Sequence, residues 1–458
     1  MSVPHLPHPV GPAAGPGLSD AAAERYAFDA PSRAWYAVGV FCALQLSSNM
    51  DRQVISLVVE PLRRDFGLDD VQIGLLQGLA FGIFYALVAL PIGWAADRWS
   101  RSRIVLWGAT FWTLATFACM FARDYASLFV ARMLVGLGEA ALLPAAFSML
   151  GDYFPRSRVA GSISIVTGAS YLGAGSALAF GGLFLAQLPT SGQVTLPLGG
   201  TVHGWQTAFG VVALPGLLML PFAAALREPP RRAVAAQPDG ASFGEALAFL
   251  SRNARFWLPL IFGMVLLAAY QWGVTAWVVA FFMRHYGWNT AQIGLLYGVV
   301  FIVVGTVASI IGGRWCDRMI AAGRRDATFR VPLIAGAMAL PLTVAFALCD
   351  DARISAVLLV AITFFGVVPF GPGLSSYPLF APNRMRAQLI ALHLLLSTLV
   401  GSGVGPWLTA FVTERVLGGP AQLHRSIAIS AALLLVPAIV SLAYGSRLAR
   451  RQPLDAAD

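Results

Sequence analysis

The sequence predicts an all-helical membrane protein, with twelve transmembrane helices in two pseudo-symmetric six-helix bundles. Three observations carry that reading. Hydrophobic residues make up 57% of the 458 and charged residues 12%, against roughly 45–50% and 25% in soluble domains, and mean hydropathy is +0.71. Twelve windows supply the roughly 20 mostly apolar residues that a bilayer core demands. Lastly, a stretch of 28 residues returns 220 residues later in the chain.

Residues 1–33 are rich in Pro, Gly and Ala, with no apolar run of signal-peptide length, and read as a disordered tail. The twelve windows follow at about 34–60, 71–96, 104–122, 126–150, 159–188, 205–226, 256–283, 291–316, 331–349, 353–377, 386–413 and 426–446. Helices are required, because open strands would leave backbone groups unpaired in lipid. Between the sixth and seventh windows, 227–255 reads as a linker, opening Arg227-Glu-Pro-Pro-Arg-Arg232 and ending in a short amphipathic helix. The expected bodies are therefore 34–226 and 256–446, with a second tail at 447–458.

All 31 basic residues are Arg. With both termini inside, the tails and inner loops hold 22 of them, the outer loops 7 and the spans 2. Positive charge gathers on the cytoplasmic side of membrane proteins, so both ends are expected there, in a bacterial-type inner membrane. The net charge of +9 does not indicate nucleic acid, because the charges are scattered between apolar runs. Cys42, Cys119, Cys316 and Cys349 stand singly, in neither a disulfide nor a zinc pattern. No cofactor or metal is expected, and the reading is a monomer in the lipid bilayer.

The repeat pairs Val71-Gln-Ile-Gly-Leu-Leu-Gln-Gly78 with Ala291-Gln-Ile-Gly-Leu-Leu-Tyr-Gly298, and carries Gly93, Asp97 and Arg98 onto Gly313, Asp317 and Arg318. From 71 to 98, ten positions are identical without a gap. Chance likeness between apolar helices could match Leu and Gly, but not Gln and a terminal Asp-Arg in register. Duplicated halves about a central pathway are the architecture of many secondary transporters.

Of the 22 acids, Asp51 and Glu139 are the two well inside apolar windows. A charge at such depth costs at least about 2.5–3.5 kcal/mol, so it should face a cavity or a partner. Candidate partners are Arg52, beside Asp51, and Arg132, two turns before Glu139 on nearly the same helical face. One reading is a static ion cluster pinning two helices together. The other gives Asp51 and Glu139 to proton carriage and Arg52 and Arg132 to an anionic substrate headgroup. An apolar cavity raises a carboxyl pKa and a neighbouring Arg lowers it, so a substrate competing for the Arg would change proton affinity. Asn49, Tyr270, Gln271, Trp272, Tyr297 and Tyr377 are candidate cavity-lining residues. His393 reads first as a core histidine and secondly as one of that lining.

These stretches resemble a known family. Gly93-Trp-Ala-Ala-Asp97-Arg98-Trp-Ser-Arg101-Ser-Arg103 is similar to the loop motif of the major facilitator superfamily, with Ser100 where that motif usually has Gly. Asn49-Met-Asp51-Arg52, Leu79-Ala-Phe-Gly-Ile-Phe-Tyr85, Arg132-Met-Leu-Val-Gly-Leu-Gly-Glu-Ala140 and Gly151-Asp152-Tyr-Phe-Pro155 resemble its spinster-like branch. The resemblance spans about 34–446 and implies the major facilitator fold, with alternating access and, often, proton coupling. It also implies a cytoplasmic latch that makes and breaks during transport. Gly93, Asp97, Arg98, Arg101 and their counterparts Gly313, Asp317 and Arg318 would belong to it, with Asp152 a partner. Spinster-like proteins are associated with lysolipids and sphingoid phosphates. Sugars are disfavoured by the scarcity of Asn, four in the chain with Asn49 alone inside a window. An amphiphilic anion is therefore the expected substrate, moved with protons, and a small organic anion is the alternative. An intramembrane enzyme or a channel would leave the repeat unexplained.

Overall fold

The structure, a computed structural model, describes residues 31–188, 193–195, 200–230, 243–382 and 385–451. Most of both expected tails and part of the linker lie outside the described residues. The long helices are α1 (Pro31–Leu57), α2 (70–98), α3 (Arg101–Cys119), α4 (Tyr125–Tyr153), α5 (Arg156–Leu185), α6 (Thr207–Ala224), α7 (Ala254–Tyr286), α8 (Thr290–Ala321), α9 (Ala327–Leu348), α10 (Ala352–Phe380), α11 (386–416) and α12 (Leu423–Ala449). Ten are long and apolar enough to cross a membrane. The other two carry the polar load: α1 holds Ser47, Ser48, Asp51, Arg52 and Gln53, and α3 opens on Arg101 and Arg103. Their surfaces still include a lipid-compatible band, for Trp107, Phe111 and Leu114 of α3 are exposed, like Phe180, Leu218, Val357 and Val440 elsewhere.

Helices α1 to α6 pack chiefly on one another, through α1 on α5, α3 on α4, α2 on α4 and α6 on both α1 and α3. The second six repeat this, with α12 on α7 and α9, and α11 on α7. Two main seams join the halves, α5 against α8 and α2 against α11. Both seams are lined by small residues that let backbones approach. A methyl added to Gly182 would collide with the Thr290 carbonyl, one on Gly298 with Ala179, and one on Gly78 with the Ser402 carbonyl. Two π-helical segments, Phe301–Gly305 in α8 and Ser397–Ser402 in α11, lie along these seams.

The repeated residues turn out to be helix punctuation. Gly67 and Gly287 end the helices Val59–Phe66 and α7 in left-handed conformation, at φ 64° and 68°, where a side chain would be strained. Two residues on, Asp69 and Asn289 cap α2 and α8. Asp69 Oδ1 accepts the Gln72 amide at 2.8 Å and Gln72 Oε1 accepts the Asp69 amide at 3.0 Å. Asn289 and Gln292 do the same at 2.9 and 3.0 Å. The recurring Gln is thus the far half of a capping box. A short antiparallel strand pair, β1 (Gln193–Thr195) and β2 (Thr201–His203), lies between α5 and α6.

Candidate functional site

Four ionic side chains meet in the first half, from α1 and α4. Glu139 is 1% exposed and is the last residue before a break in α4 at 140–141. Its Oε2 accepts hydrogen bonds from Arg52 Nε at 2.8 Å and Ser48 Oγ at 2.6 Å, and Arg52 Nη2 lies 2.7 Å from the same oxygen in the ion pair. The Arg52 guanidinium also lies over the rings of Phe81 and Tyr85 on α2, 4.4 and 5.1 Å from their centroids, a favourable seat for a cation. Its side chain keeps 15% exposure, whereas that of Glu139 keeps none. Asp51 is equally buried and accepts Thr116 Oγ1 of α3 at 3.0 Å on Oδ2.

The pairing is crossed relative to the sequence expectation. Arg52 bonds not to its neighbour Asp51 but to Glu139, and Arg132 does not reach Glu139. Arg132 is 1% exposed and donates Nη1 to the backbone carbonyl of Asp51 at 2.9 Å. Adjacent helical residues diverge by about 100°, so Asp51 and Arg52 cannot share one direction. Arg132 so enclosed fixes α1 against α4 and presents no surface to a headgroup. Three buried polar atoms have no hydrogen-bond partner here, Asp51 Oδ1, Glu139 Oε1 and Arg132 Nε. Unpaired buried polar atoms are uncommon in folded proteins.

The expected cavity lining fares unevenly. Asn49 donates to the Gln45 carbonyl in its own helix at 2.8 Å. Gln271 is half-buried and donates to Thr275, and Trp272 is half-buried near Gly401. Tyr270 and Tyr297 are enclosed instead, bonded to Thr343 at 2.6 Å and Thr275 at 3.3 Å inside the second half. Tyr377 is buried with its ring stacked on Trp257 and its hydroxyl unpaired. His393 packs beside it, 5.6 Å between ring centroids, and meets Ser397 Oγ at 3.4 Å.

A charge network unforeseen from the sequence ties the halves at the face opposite the termini. Arg284 of α7 grips Asp70 at the start of α2 with two nitrogens, at 2.6 and 2.9 Å, and reaches Glu60 at 2.6 Å. Arg63 bridges Asp70 at 2.8 Å and Glu414 of α11 at 3.0 Å, and Arg415 meets Asp69 at 3.0 Å. These pairs of Arg284, Arg63 and Arg415 join the two halves across this face. One signal in the sequence marks it: Asp70 stands where the repeat has Thr290, while Arg64 and Arg284 coincide.

At the terminus-bearing face, Arg101 is 3% exposed by its side chain, pairs with Asp152 of α4 and Glu228 Oε1, the latter at 2.7 Å, and donates to Ser148 and the Pro229 carbonyl. Glu228 also accepts the Ser102 amide at 2.9 Å. Burial opposes its charge, but that amide and Arg101 outweigh it and hold the Glu228 carboxyl below the usual range. These bonds join α3, α4 and the linker, and all lie on the first half. Asp317 and Arg318 are exposed, and a methyl on Gly93 or Gly313 would meet open space. The side chain of Asp97 lies outside the described residues.

Residues 41–406 match the profile of the Major Facilitator Superfamily. An "MFS-type efflux pump" of Mycolicibacterium smegmatis is 27% identical over 89% of this chain and 92% of its own. "Protein spinster homolog 3" of Danio rerio is 25% identical over 83% and 77%. In fold, the chain is similar to a bacterial homologue of the human lysosomal transporter Spinster, crystallised inward-facing and unoccupied. That likeness has a TM-score of 0.77 at 24% identity, over 92% of this chain and 99% of the other.

Proposed function

The chain belongs to the Major Facilitator Superfamily as a spinster-like transporter and not an enzyme, and from that premise we propose that it moves an amphiphilic anion by proton-coupled alternating access. The single observation behind this is the Arg52–Glu139 pair: an accessible cation holding an inaccessible carboxylate. A substrate anion that takes Arg52 deprives Glu139 of its counter-charge. A buried carboxylate without one is costly, so it takes up a proton. Loss of the substrate restores the pair and expels the proton. Asp51 is a second proton site, with Thr116 as its partner, and Arg132 is a positioning residue.

The substrate class follows from the contrast between halves. A headgroup of phosphate or carboxylate type sits at Arg52, and the apolar part lies against the second half. The bodies 34–226 and 256–446 rock about that site. With the Arg-rich, terminus-bearing face in the cytoplasm of a bacterial inner membrane, the charge network around Asp70 is the outer gate, here shut. Gly93 and Gly313 mark where the inner face closes in the other state, with Asp97, Asp317 and Arg318 in the latch beside Arg101 and Asp152.

The test is uptake by reconstituted liposomes under an imposed pH gradient, offered lysolipids, sphingoid phosphates, fatty acids and small organic acids. Wild type should accumulate an amphiphilic anion. Glu139→Gln should bind it but not concentrate it. Accumulation by Glu139→Gln would show Glu139 to be structural, and accumulation of organic acids alone would replace the substrate class.

A further inference from the structure

On the terminus-bearing face of the second half, the α8–α9 turn, the start of α9 and the end of α12 enclose a hollow of about 360 Å³. Its wall is Gly323, Arg324, Arg325, Asp326, Arg330 and Arg450, four guanidinium groups against one carboxylate. That carboxylate is already committed. Asp326 is buried, and its Oδ2 accepts Arg450 Nε at 2.7 Å and Ser446 Oγ at 2.8 Å. Burial works against its charge, but Arg450 and Ser446 outweigh that and keep its carboxyl below the usual range. Arg330 stands 3.9 Å from the same oxygen, too far for a hydrogen bond, and Arg324 has no acidic partner among the described residues. The turn is fixed by its own bonds, Gly323 amide to Ile320 carbonyl and Arg324 amide to Met319 carbonyl, each 2.9 Å.

The corresponding place in the first half shows what a completed site of this kind looks like. There Arg101 is covered and matched by Asp152 and Glu228. In the second half the polarity is reversed, with the acid at the root of α9 and the base on α12, and Arg324 and Arg330 line an open hollow beside that pair. Positive-inside bias explains arginines spread along loops, but not four of them from three elements converging on one concavity. Guanidinium forks match phosphate oxygens bidentately, and basic pockets between transmembrane helices on the cytoplasmic side suit phosphate headgroups.

We infer that this hollow is a phosphate-binding site, separate from the transport site, that holds either the headgroup of an anionic membrane lipid or a soluble phosphate compound. The bound phosphate bridges the α8–α9 turn, through Arg324 and Arg330, to Arg450 on α12.

Thermal unfolding of the full chain in micelles tests it, with three probes at constant ionic strength: sodium pyrophosphate, dioleoylphosphatidylglycerol, and dioleoylphosphatidylcholine as the zwitterionic control. Pyrophosphate or phosphatidylglycerol should raise Tm and phosphatidylcholine should not. Stabilisation by pyrophosphate alone assigns the site to a soluble ligand, and stronger stabilisation by phosphatidylglycerol assigns it to a lipid. Arg324→Gln and Arg330→Gln, which leave the Arg450–Asp326 bond intact, should each weaken the binding about tenfold, as expected for one charge-assisted hydrogen bond. No stabilisation by either anion, or stabilisation that both variants retain in full, would overturn the assignment.

Discussion

The two halves share a frame and differ in what they bury. The first encloses Asp51, Arg132 and Glu139, and nearly encloses Arg52. The second encloses hydroxyls and rings, such as Tyr270 on Thr343 and, near the terminus-bearing face, Tyr377 on Trp257 with His393 beside it. What recurs at the 220-residue offset is the capping box, the left-handed glycine and the tight seam glycine. What does not recur is the ionic cluster, and Asp70 of the outer network. Repetition therefore reports on the scaffold, and departures from it point to chemistry. A charge movement confined to one half can be read by the other through the seams and the outer ion pairs.

Neutralising the ionic cluster should give the largest effect, because it makes the first half resemble the second. Arg52→Gln leaves Glu139 buried without a cation, and breaking a buried pair on one side costs about 3–5 kcal/mol. Denaturation in detergent should show that loss, and Arg52→Gln with Glu139→Gln should recover most of it. If the double variant is no more stable than the single, Arg52 is held by its aromatic seat and not by Glu139.

Next comes the network that couples the halves. Arg284→Gln removes both contacts to Asp70 and the one to Glu60, leaving Asp70 to Arg63. Removing one partner of a buried charge pair costs about 2–5 kcal/mol, here charged to the outer-closed state alone. Label-to-label distances between the outer ends of α2 and α7 should lengthen in most of the population. Unchanged distances would mean that the seams, not the ions, hold this face shut.

The seams can be probed directly. Gly182→Ala places a methyl against the Thr290 carbonyl and Gly294, and overpacking of this kind costs about 1–3 kcal/mol. That cost falls on the closed outer face, so the same distances should lengthen, by less than in Arg284→Gln. Gly313→Ala meets open space here and should leave them unchanged.

Much of the fold was legible in the residue order, because a 20-residue apolar run has few alternatives in lipid. The twelve windows fall on the twelve long helices within a few residues, including α1 and α3, whose arginines and other polar residues dilute their hydropathy. The repeat was legible too, although its Gln looked like a mark of register and proved to be a cap. The residues of the cluster could be named, since Asp51 and Glu139 stand out in apolar runs. Their pairing could not, because it depends on how α1 and α4 are rotated about their axes, which hydropathy leaves free. The outer network was harder still. Glu60, Asp70, Arg284 and Glu414 sit at helix ends, where charge is ordinary, and the bonds join residues up to 351 positions apart.

The smallest effect tests the feature that the halves hold in common. Gly67 and Gly287 close the helices before the paired capping boxes at φ 64° and 68°, and a methyl at either would meet no neighbour. The cost of Ala there is therefore backbone strain alone, about 1–2 kcal/mol for a left-handed residue. Gly67→Ala and Gly287→Ala should lower the unfolding free energy in detergent by the same amount within error, and leave the outer distances unchanged. Asn at either position tolerates left-handed backbone better than Ala, so Gly67→Asn and Gly287→Asn should recover part of the loss. Unequal costs would mean that one glycine carries something besides the turn. The suspect would be Gly67, because its helix Val59–Phe66 presents Glu60 and Arg63 to the outer network, and a strained end there would also loosen the gate.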